Sequence, residues 1–213
     1  MASQARATAT RQRIIDAGVE LFSSKGYGDT ALGDIAAMAE VTTGAFYYHF
    51  DSKEALAKEI LKQGWPPAWE VVDSCLNAPD PGLENVIVMT FSLSALMKRN
   101  KAVWISNHLN QSLGLLTEEG RKTFEHKAQS FISGIAAAIG HTDIRPDITR
   151  EEVGNQVWMA LHGCHLLSDA FGDSVSERLV RSWRILLRSI VPTESLDYFE
   201  KYVQRTATRF TNG

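Results

Sequence analysis

Two cysteines in 213 residues, Cys75 and Cys164, are too few and too far apart for a disulfide framework. A reducing compartment is therefore the simpler expectation. No stretch reaches the roughly 18 uninterrupted apolar residues of a membrane span, and the opening Met-Ala-Ser-Gln-Ala-Arg lacks the apolar centre of a secretion signal. A soluble cytoplasmic protein with no membrane partner is expected. Basic residues are not in excess: 22 Lys and Arg against 25 Asp and Glu give a formal net charge of −3. That balance excludes indiscriminate coating of nucleic acid but permits a local DNA-binding face. Also missing are a Gly-rich phosphate loop, a G-x-S-x-G elbow and an H-E-x-x-H helix, so neither an enzyme nor a cofactor is expected. His162-Gly163-Cys164-His165 holds zinc-type donors, but no second ligand pair of suitable spacing accompanies it, and no metal site is expected. Finally, there is no convincing period-two alternation, internal repeat or low-complexity segment, which leaves an all-α chain.

What is present is a succession of helical patterns. Ile14, Ala17, Gly18, Leu21 and Phe22 form an apolar stripe on a first helix from about Thr10 to Ser24, which Gly26 stops in a left-handed cap. The residues before it, 1–8, read as a flexible arm. Arg6, with Arg11, either reaches phosphate or the minor groove from there or belongs to a terminus without a role. Thr30 is placed to cap a second helix that carries Leu32, Ile35, Ala36 and Ala39, and could also present its hydroxyl to a phosphate.

The segment Val41–Lys53 then reads as a turn, a short third helix capped by Thr42, and a new start capped by Ser52. Together these are a three-helix, helix-turn-helix head. Thr42, Thr43 and Gly44 fall at the end of the recognition helix that enters a major groove. Threonine can bond a base edge or touch a thymine methyl, and glycine lets the backbone come close. Phe46 and Phe50 are expected inside, Tyr47 and His49 outside. Tyr48 either flanks the groove or packs on helix 4.

The run T-x-G-x-F-Y-x-H-F-x-x-K, with Arg13-Ile14-Ile15-Asp16-Ala17, Leu21-Phe22, Lys25-Gly26-Tyr27 and Thr30–Ala36 upstream, resembles the head of TetR-family transcriptional regulators. The resemblance implies that Tyr47, His49 and Lys53 contact phosphate and that Thr42, Thr43 and Gly44 read bases, with Thr30 and Tyr48 also in the DNA-facing set. Relatives often carry a long basic side chain where Thr43 stands.

Lys53 to Gly64 reads as a fourth helix, ended at Gly64-Trp65-Pro66-Pro67 because proline breaks a helix interior. The expected organisation is a DNA-binding domain over 1–52, helix 4 over 53–64 as a link, and a ligand-binding and dimerisation domain over 65–213. In that body, after Pro79-Asp80-Pro81-Gly82, helices are expected over about 83–99, 102–113, 118–139, 149–171, 176–191 and 194–209, with a loop from His141 to Asp147. Thr149 and Glu152 have capping-box spacing. Val153, Val157, Ala160, Leu161, Cys164 and Leu167 form one stripe. Leu179, Trp183, Leu186, Leu187 and Ile190 form another. Either these build a four-helix seam between two subunits or they serve the core of one.

Phe91, Met97, Trp104, His108, Phe124, Phe131, Trp158, His162 and Cys164, with Gln129 and Met159, could line an apolar pocket with a few polar groups, or simply form an aromatic core. The stretch Trp183–Pro192, taken with the head, resembles the γ-butyrolactone receptor branch of the TetR family. The pocket Trp of that branch falls at Phe124 and its pocket Thr at Cys164. The resemblance implies a homodimeric repressor that holds a palindromic double-stranded operator. A small amphipathic inducer of γ-butyrolactone, furan or butenolide type would release it. The alternatives are a regulator of efflux or catabolic genes that senses another hydrophobic compound, and an all-α binding or enzyme module that no longer touches DNA.

Overall fold

A computed structural model describes residues 2–80, 82–140 and 143–211, all helical apart from short connections. Pro81, and His141 of the loop expected from His141 to Asp147, lie outside the described residues, as does Met1 of the expected arm. The helices are α1 Ala2–Lys25, α2 Leu32–Met38, α3 Thr43–His49, α4 Lys53–Leu76, α5 Leu83–Arg99, α6 Lys101–Leu116, α7 Glu118–Ala138, α8 Arg150–Phe171, α9 Val175–Ile190 and α10 Leu196–Thr211, with one 3-10 turn at Thr193–Ser195. The all-α expectation holds.

The chain divides into two compact units, residues 1–67 with 100–124 and residues 68–99 with 125–213. The first unit thus gathers α1 to α3, the start of α4, and also α6, which the sequence reading placed in the body. Its core is Ile14, Ile15, Leu21 and Phe22 from α1, Ile35 from α2, Phe46 and Phe50 around α3, Leu56 and Ile60 from α4, and Ile105, Leu109 and Leu113 from α6. Phe46 is 0% exposed. Burying a ring of that size contributes about 3–5 kcal/mol, judged by the usual loss on truncation to alanine.

Several expectations about this unit need correction. Residues 2–8 are helix, not a loose arm: Ala2, Ala5, Ala7 and Ala9 are strong helix formers and extend α1 by two turns. Arg11 does not reach outward. It pairs with Glu59 at 3.0 Å and its guanidinium lies 4.9 Å from the Phe50 ring centroid. Helix α4 does not stop at Gly64 but runs to Leu76 with Pro66 and Pro67 inside it. Two prolines remove two amide donors, yet buried side chains before and after them, Leu61 in this unit and Ala68, Val72 and Leu76 in the other, fix helical backbone on both sides. Helix α2 is preceded by Ala31, with no side-chain cap. Thr30 is instead 1% exposed, and its hydroxyl donates to the carbonyls of Gly26 at 2.7 Å and Leu21 at 3.3 Å. It closes the end of α1 rather than the start of α2.

Caps elsewhere match the sequence. Gly26 takes φ +83°, Thr149 and Glu152 form a capping box, and Gly172 ends α8 in the left-handed region. Ser52 Oγ accepts from Ala55 N at 3.0 Å.

The second unit packs α8 on α9, α9 on α10, and α5 on both α9 and α10. Inside it a few polar groups are paired. Trp183 Nε1 donates to Thr90 Oγ1 at 3.0 Å, and Ser94 Oγ lies 3.0 Å from His165 Nε2. Asp143 accepts from the amides of Leu83 and Gly140, both at 2.9 Å. The stripes considered for a subunit seam are mostly spent here. Val153, Val157, Leu161, Cys164, Leu179, Trp183, Leu187 and Ile190 are all buried in this unit's own core, and of the two stripes Leu167 is the side chain left well exposed. No helix of the described residues is long and apolar enough to cross a membrane.

Candidate nucleic-acid interface

The edge that carries the candidate DNA-binding residues is built by α3. Its first turn is capped by Thr42, whose Oγ1 accepts from Ala45 N at 3.1 Å. One side of the helix is sealed: Phe46 lies 5.9 Å from Phe50, ring centroid to centroid, and both are buried. The other side is open. Thr42, Thr43 and Gly44 are exposed, Tyr47 is 53% exposed and Tyr48 80%. Tyr48 therefore faces solvent rather than helix 4, with its ring edge-on to His49 at 5.0 Å. Tyr47 stands edge-on to Phe46 at 5.9 Å, which holds the phenol outward without burying it. The turn into α3 places Glu40 at φ +53°. A non-glycine residue there carries strain, and Val41 N still reaches Ala36 O at 3.0 Å.

Two of the expected DNA-facing residues are engaged inside the head. Thr30 is buried, as described. Lys53 points inward: its Nζ donates to the carbonyls of Tyr27 at 2.7 Å, Thr30 at 2.8 Å and Gly28 at 3.3 Å, and it sits 4.5 Å from the Tyr27 ring centroid. The sequence marks Lys53 by type and spacing, but only the geometry shows where the ammonium goes.

The residues considered for a ligand pocket separate between the two units. Trp104, His108 and Phe124 belong to the first; Phe91, Met97, Phe131, Trp158, His162 and Cys164 belong to the second. In the second unit, Phe131 lies 5.0 Å from Trp158, and Trp158 lies 3.6 Å from the His162 ring. His162 Nδ1 reaches the Trp158 carbonyl at 3.1 Å. The first unit repeats this i, i+4 arrangement in Trp104 and His108, whose rings are 4.1 Å apart with Nδ1 3.0 Å from the Trp104 carbonyl. Phe91, Met97 and Cys164 are buried. Gln129 is exposed and Met159 is 54% exposed, so neither belongs to an interior set.

Burial lowers the His162 imidazole to about 4 and thus keeps it neutral, the Trp158 carbonyl acting weakly the other way. Burial also raises the Cys164 thiol. The sequence reading missed Lys127, one turn before Phe131 on α7, whose amine burial lowers to about 8. A lysine one helical turn from a buried aromatic was the available signal. Among the described residues no group of three His, Cys, Asp or Glu side chains gathers for a metal.

A sealed three-helix head with an open, hydroxyl-rich third helix belongs to the helix-turn-helix class of DNA-binding folds. Residues 14–60 match the family model of bacterial regulatory proteins of the tetR family. The A-factor receptor protein of Streptomyces griseus is 46% identical over 63 residues, 30% of this chain and 23% of that protein. The transcriptional repressor DhaR of Mycobacterium sp. (strain GP1) is 38% identical over 69 residues, 32% of this chain and 35% of the repressor. The matched stretch thus spans about a quarter to a third of these curated relatives. Solved structures align over nearly the whole chain. A γ-butyrolactone receptor (ArpA-like protein) gives a TM-score of 0.76 at 26% identity, over 96% of this chain and 99% of its own. CprB from Streptomyces coelicolor, in complex with its operator sequence, gives 0.69 at 27%, again over 96% and 99%. Residues 14–60 thus carry a match to the tetR family of bacterial regulatory proteins, and the chain is similar to γ-butyrolactone receptor structures over nearly its whole length.

Proposed function

We propose that this regulator is a ligand-responsive repressor that binds a two-fold DNA operator as a homodimer. Residues 1–52 carry its DNA-binding function, the first part of α4 over 53–64 completes the core of that head and leads out of it, and ligand binding and dimerisation reside within 65–213. The observation that carries the DNA reading is the contrast across α3, sealed by Phe46 and Phe50 on one side and open from Thr42 to Tyr48 on the other. Gly44 sharpens it. A Cβ there would meet nothing nearer than Thr42 Oγ1 at 3.9 Å, so packing within the head does not require glycine. Close approach of a DNA backbone gives it a purpose. Thr42, Thr43 and Gly44 face the bases; Tyr47, Tyr48 and His49 face the phosphates on either side.

Two copies are needed to read two half-sites. The surface that supports pairing is the outward face of α8 and α9, where Met159, Leu166, Leu167 and Ile185 are exposed. Gly163 lies on the same stretch of α8, and a Cβ built on it finds no atom within 4 Å, so another helix can approach. Leu166→Asp with Ile185→Asp is expected to give a folded monomer by light scattering that loses two-half-site binding. A dimer of unchanged affinity would refute this face.

The inducer is a small amphipathic molecule of the γ-butyrolactone, furan or butenolide type. The likeness to γ-butyrolactone receptors supports that class, as does the Phe131–Trp158–His162 stack, with its neutral imidazole among aromatic rings. Trp158→Ala is the matching variant: it should retain DNA while losing release by the lactone.

The DNA reading is tested by selecting duplexes from a random pool on the full-length protein and titrating the best with wild type and Gly44→Ala. Alanine should raise stability by up to about 1 kcal/mol through helix propensity while weakening DNA binding about tenfold or more. Failure of the wild type to enrich any sequence would overturn the proposal.

A further inference from the structure

Lys53 opens α4, where a cation is poorly placed because the helix dipole presents positive charge. Its ammonium has turned away from that end. All three of its N–H groups are directed to carbonyls of the turn that follows α1: Tyr27, Gly28 and Thr30. The Tyr27 ring caps the arrangement at 4.5 Å, and the end of α1 supplies the negative end of a second dipole. Thr30 stands two residues before α2, and α2 carries α3. The same turn is gripped from the other side, where the Thr30 hydroxyl donates to Gly26 and Leu21.

Resting on the DNA-binding reading above, we propose that Lys53 is a positioning residue. It fastens the turn between α1 and α2 to the start of α4 and so sets the attitude of α3 in the groove, without itself contacting phosphate. A phosphate would compete for this ammonium with two short, charge-assisted bonds, to the Tyr27 carbonyl at 2.7 Å and the Thr30 carbonyl at 2.8 Å, and with a longer one to Gly28 at 3.3 Å.

The two roles differ in salt dependence. A lysine that neutralises a phosphate releases counterions, and its removal reduces the slope of log affinity against log salt by about 0.9. A positioning lysine leaves the slope intact and lowers affinity at every salt concentration. The experiment uses full-length wild type, Lys53→Met and Lys53→Arg, with the tightest duplex selected on the wild type as probe. Binding is titrated across salt, and amide hydrogen exchange is followed over residues 26–31 without DNA.

Lys53→Met, which removes all three bonds to the turn, should bind about tenfold more weakly or worse, with an unchanged slope and faster exchange in the turn. Lys53→Arg keeps the charge but replaces a three-way donor with a planar fork. It should also bind more weakly, again at the wild-type slope. A slope reduced by about 0.9 in Lys53→Met, or wild-type affinity in either variant, overturns the proposal. Should Lys53→Met fail to fold, Lys53→Arg decides alone, because a phosphate contact would tolerate arginine. If the wild type selects no duplex, the DNA-binding reading falls. The exchange measurement then still tests the fastening: faster exchange in the Met variant upholds it and unchanged exchange rejects it.

Discussion

Replacing Gly64 with alanine should destabilise the protein by about 1–3 kcal/mol, the usual cost of overpacking, and lower its melting temperature by several degrees. Gly64 lies in α4 where α6 crosses it. An added Cβ would meet Ser106 Oγ at 2.0 Å, the Ala102 carbonyl oxygen at 2.3 Å and Ser106 Cβ at 2.7 Å. A side chain alone could turn aside, but a backbone oxygen cannot. The Ser106 hydroxyl is also committed, donating to the Ile60 carbonyl at 3.2 Å in a buried position. The two helices would have to separate, and the gain of about 1 kcal/mol from alanine's better helix propensity offsets only part of the loss. Ser106→Gly in the same chain should recover part of the deficit and not all, because the Ala102 carbonyl remains in the way. Thermal unfolding of the three variants measures this. An alanine variant as stable as wild type would mean that α4 and α6 do not cross so closely.

A second large effect concerns acid. His162 has an ordinary imidazole value of 6.5, and burial in the folded protein lowers it to about 4. The unfolded chain therefore binds this proton first. No contribution is expected above pH 6.5. As the pH falls towards 4 the unfolded state is increasingly favoured, and the loss levels off below that, at about 3 kcal/mol in total. His162→Phe keeps a ring beside Trp158 but has no proton to bind. Urea titrations from pH 7.5 to 4 should show a shallower decline for the variant than for wild type. Equal slopes would show that the His162 imidazole is not sealed from water.

The head was readable because its signals are local. Thr42, Ser52 and Gly26 act on backbone within a turn of themselves, and the alternation of Phe46 and Phe50 with Tyr47 assigns the two sides of α3 without tertiary knowledge, Tyr48 alone being left open. The errors arose where distant packing overrides a local rule. Pro66 and Pro67 signal a helix end, but buried residues on both flanks hold α4 continuous. Thr30 has the type and position of a cap, yet the end of α1 claims its hydroxyl. Lys53 matches a phosphate-binding pattern, and its bonds to the Tyr27 and Gly28 carbonyls, at 26 and 25 positions' separation, lie beyond the reach of any local rule.

The body was legible as helices but not as a site. Periodicity places Val157, Leu161 and Trp183 on apolar faces and cannot say whether those faces meet their own unit or a second subunit. Here they meet their own core, and the outward set, Met159, Leu166 and Ile185, was not the stripe that stood out. The pocket candidates show the same limit. Helical spacing selects Trp104 and Trp158 equally, and the fold assigns them to different units.

Under the DNA-binding proposal, base recognition resides in the exposed first turn of α3. Duplex selection with wild type and with Thr43→Arg tests it most directly. Thr43 is exposed, and arginine at that place can reach guanine. The two proteins should have equal stability and recover different sequences, altered at the same position in both half-sites. Identical recovered sequences at undiminished affinity would contradict it.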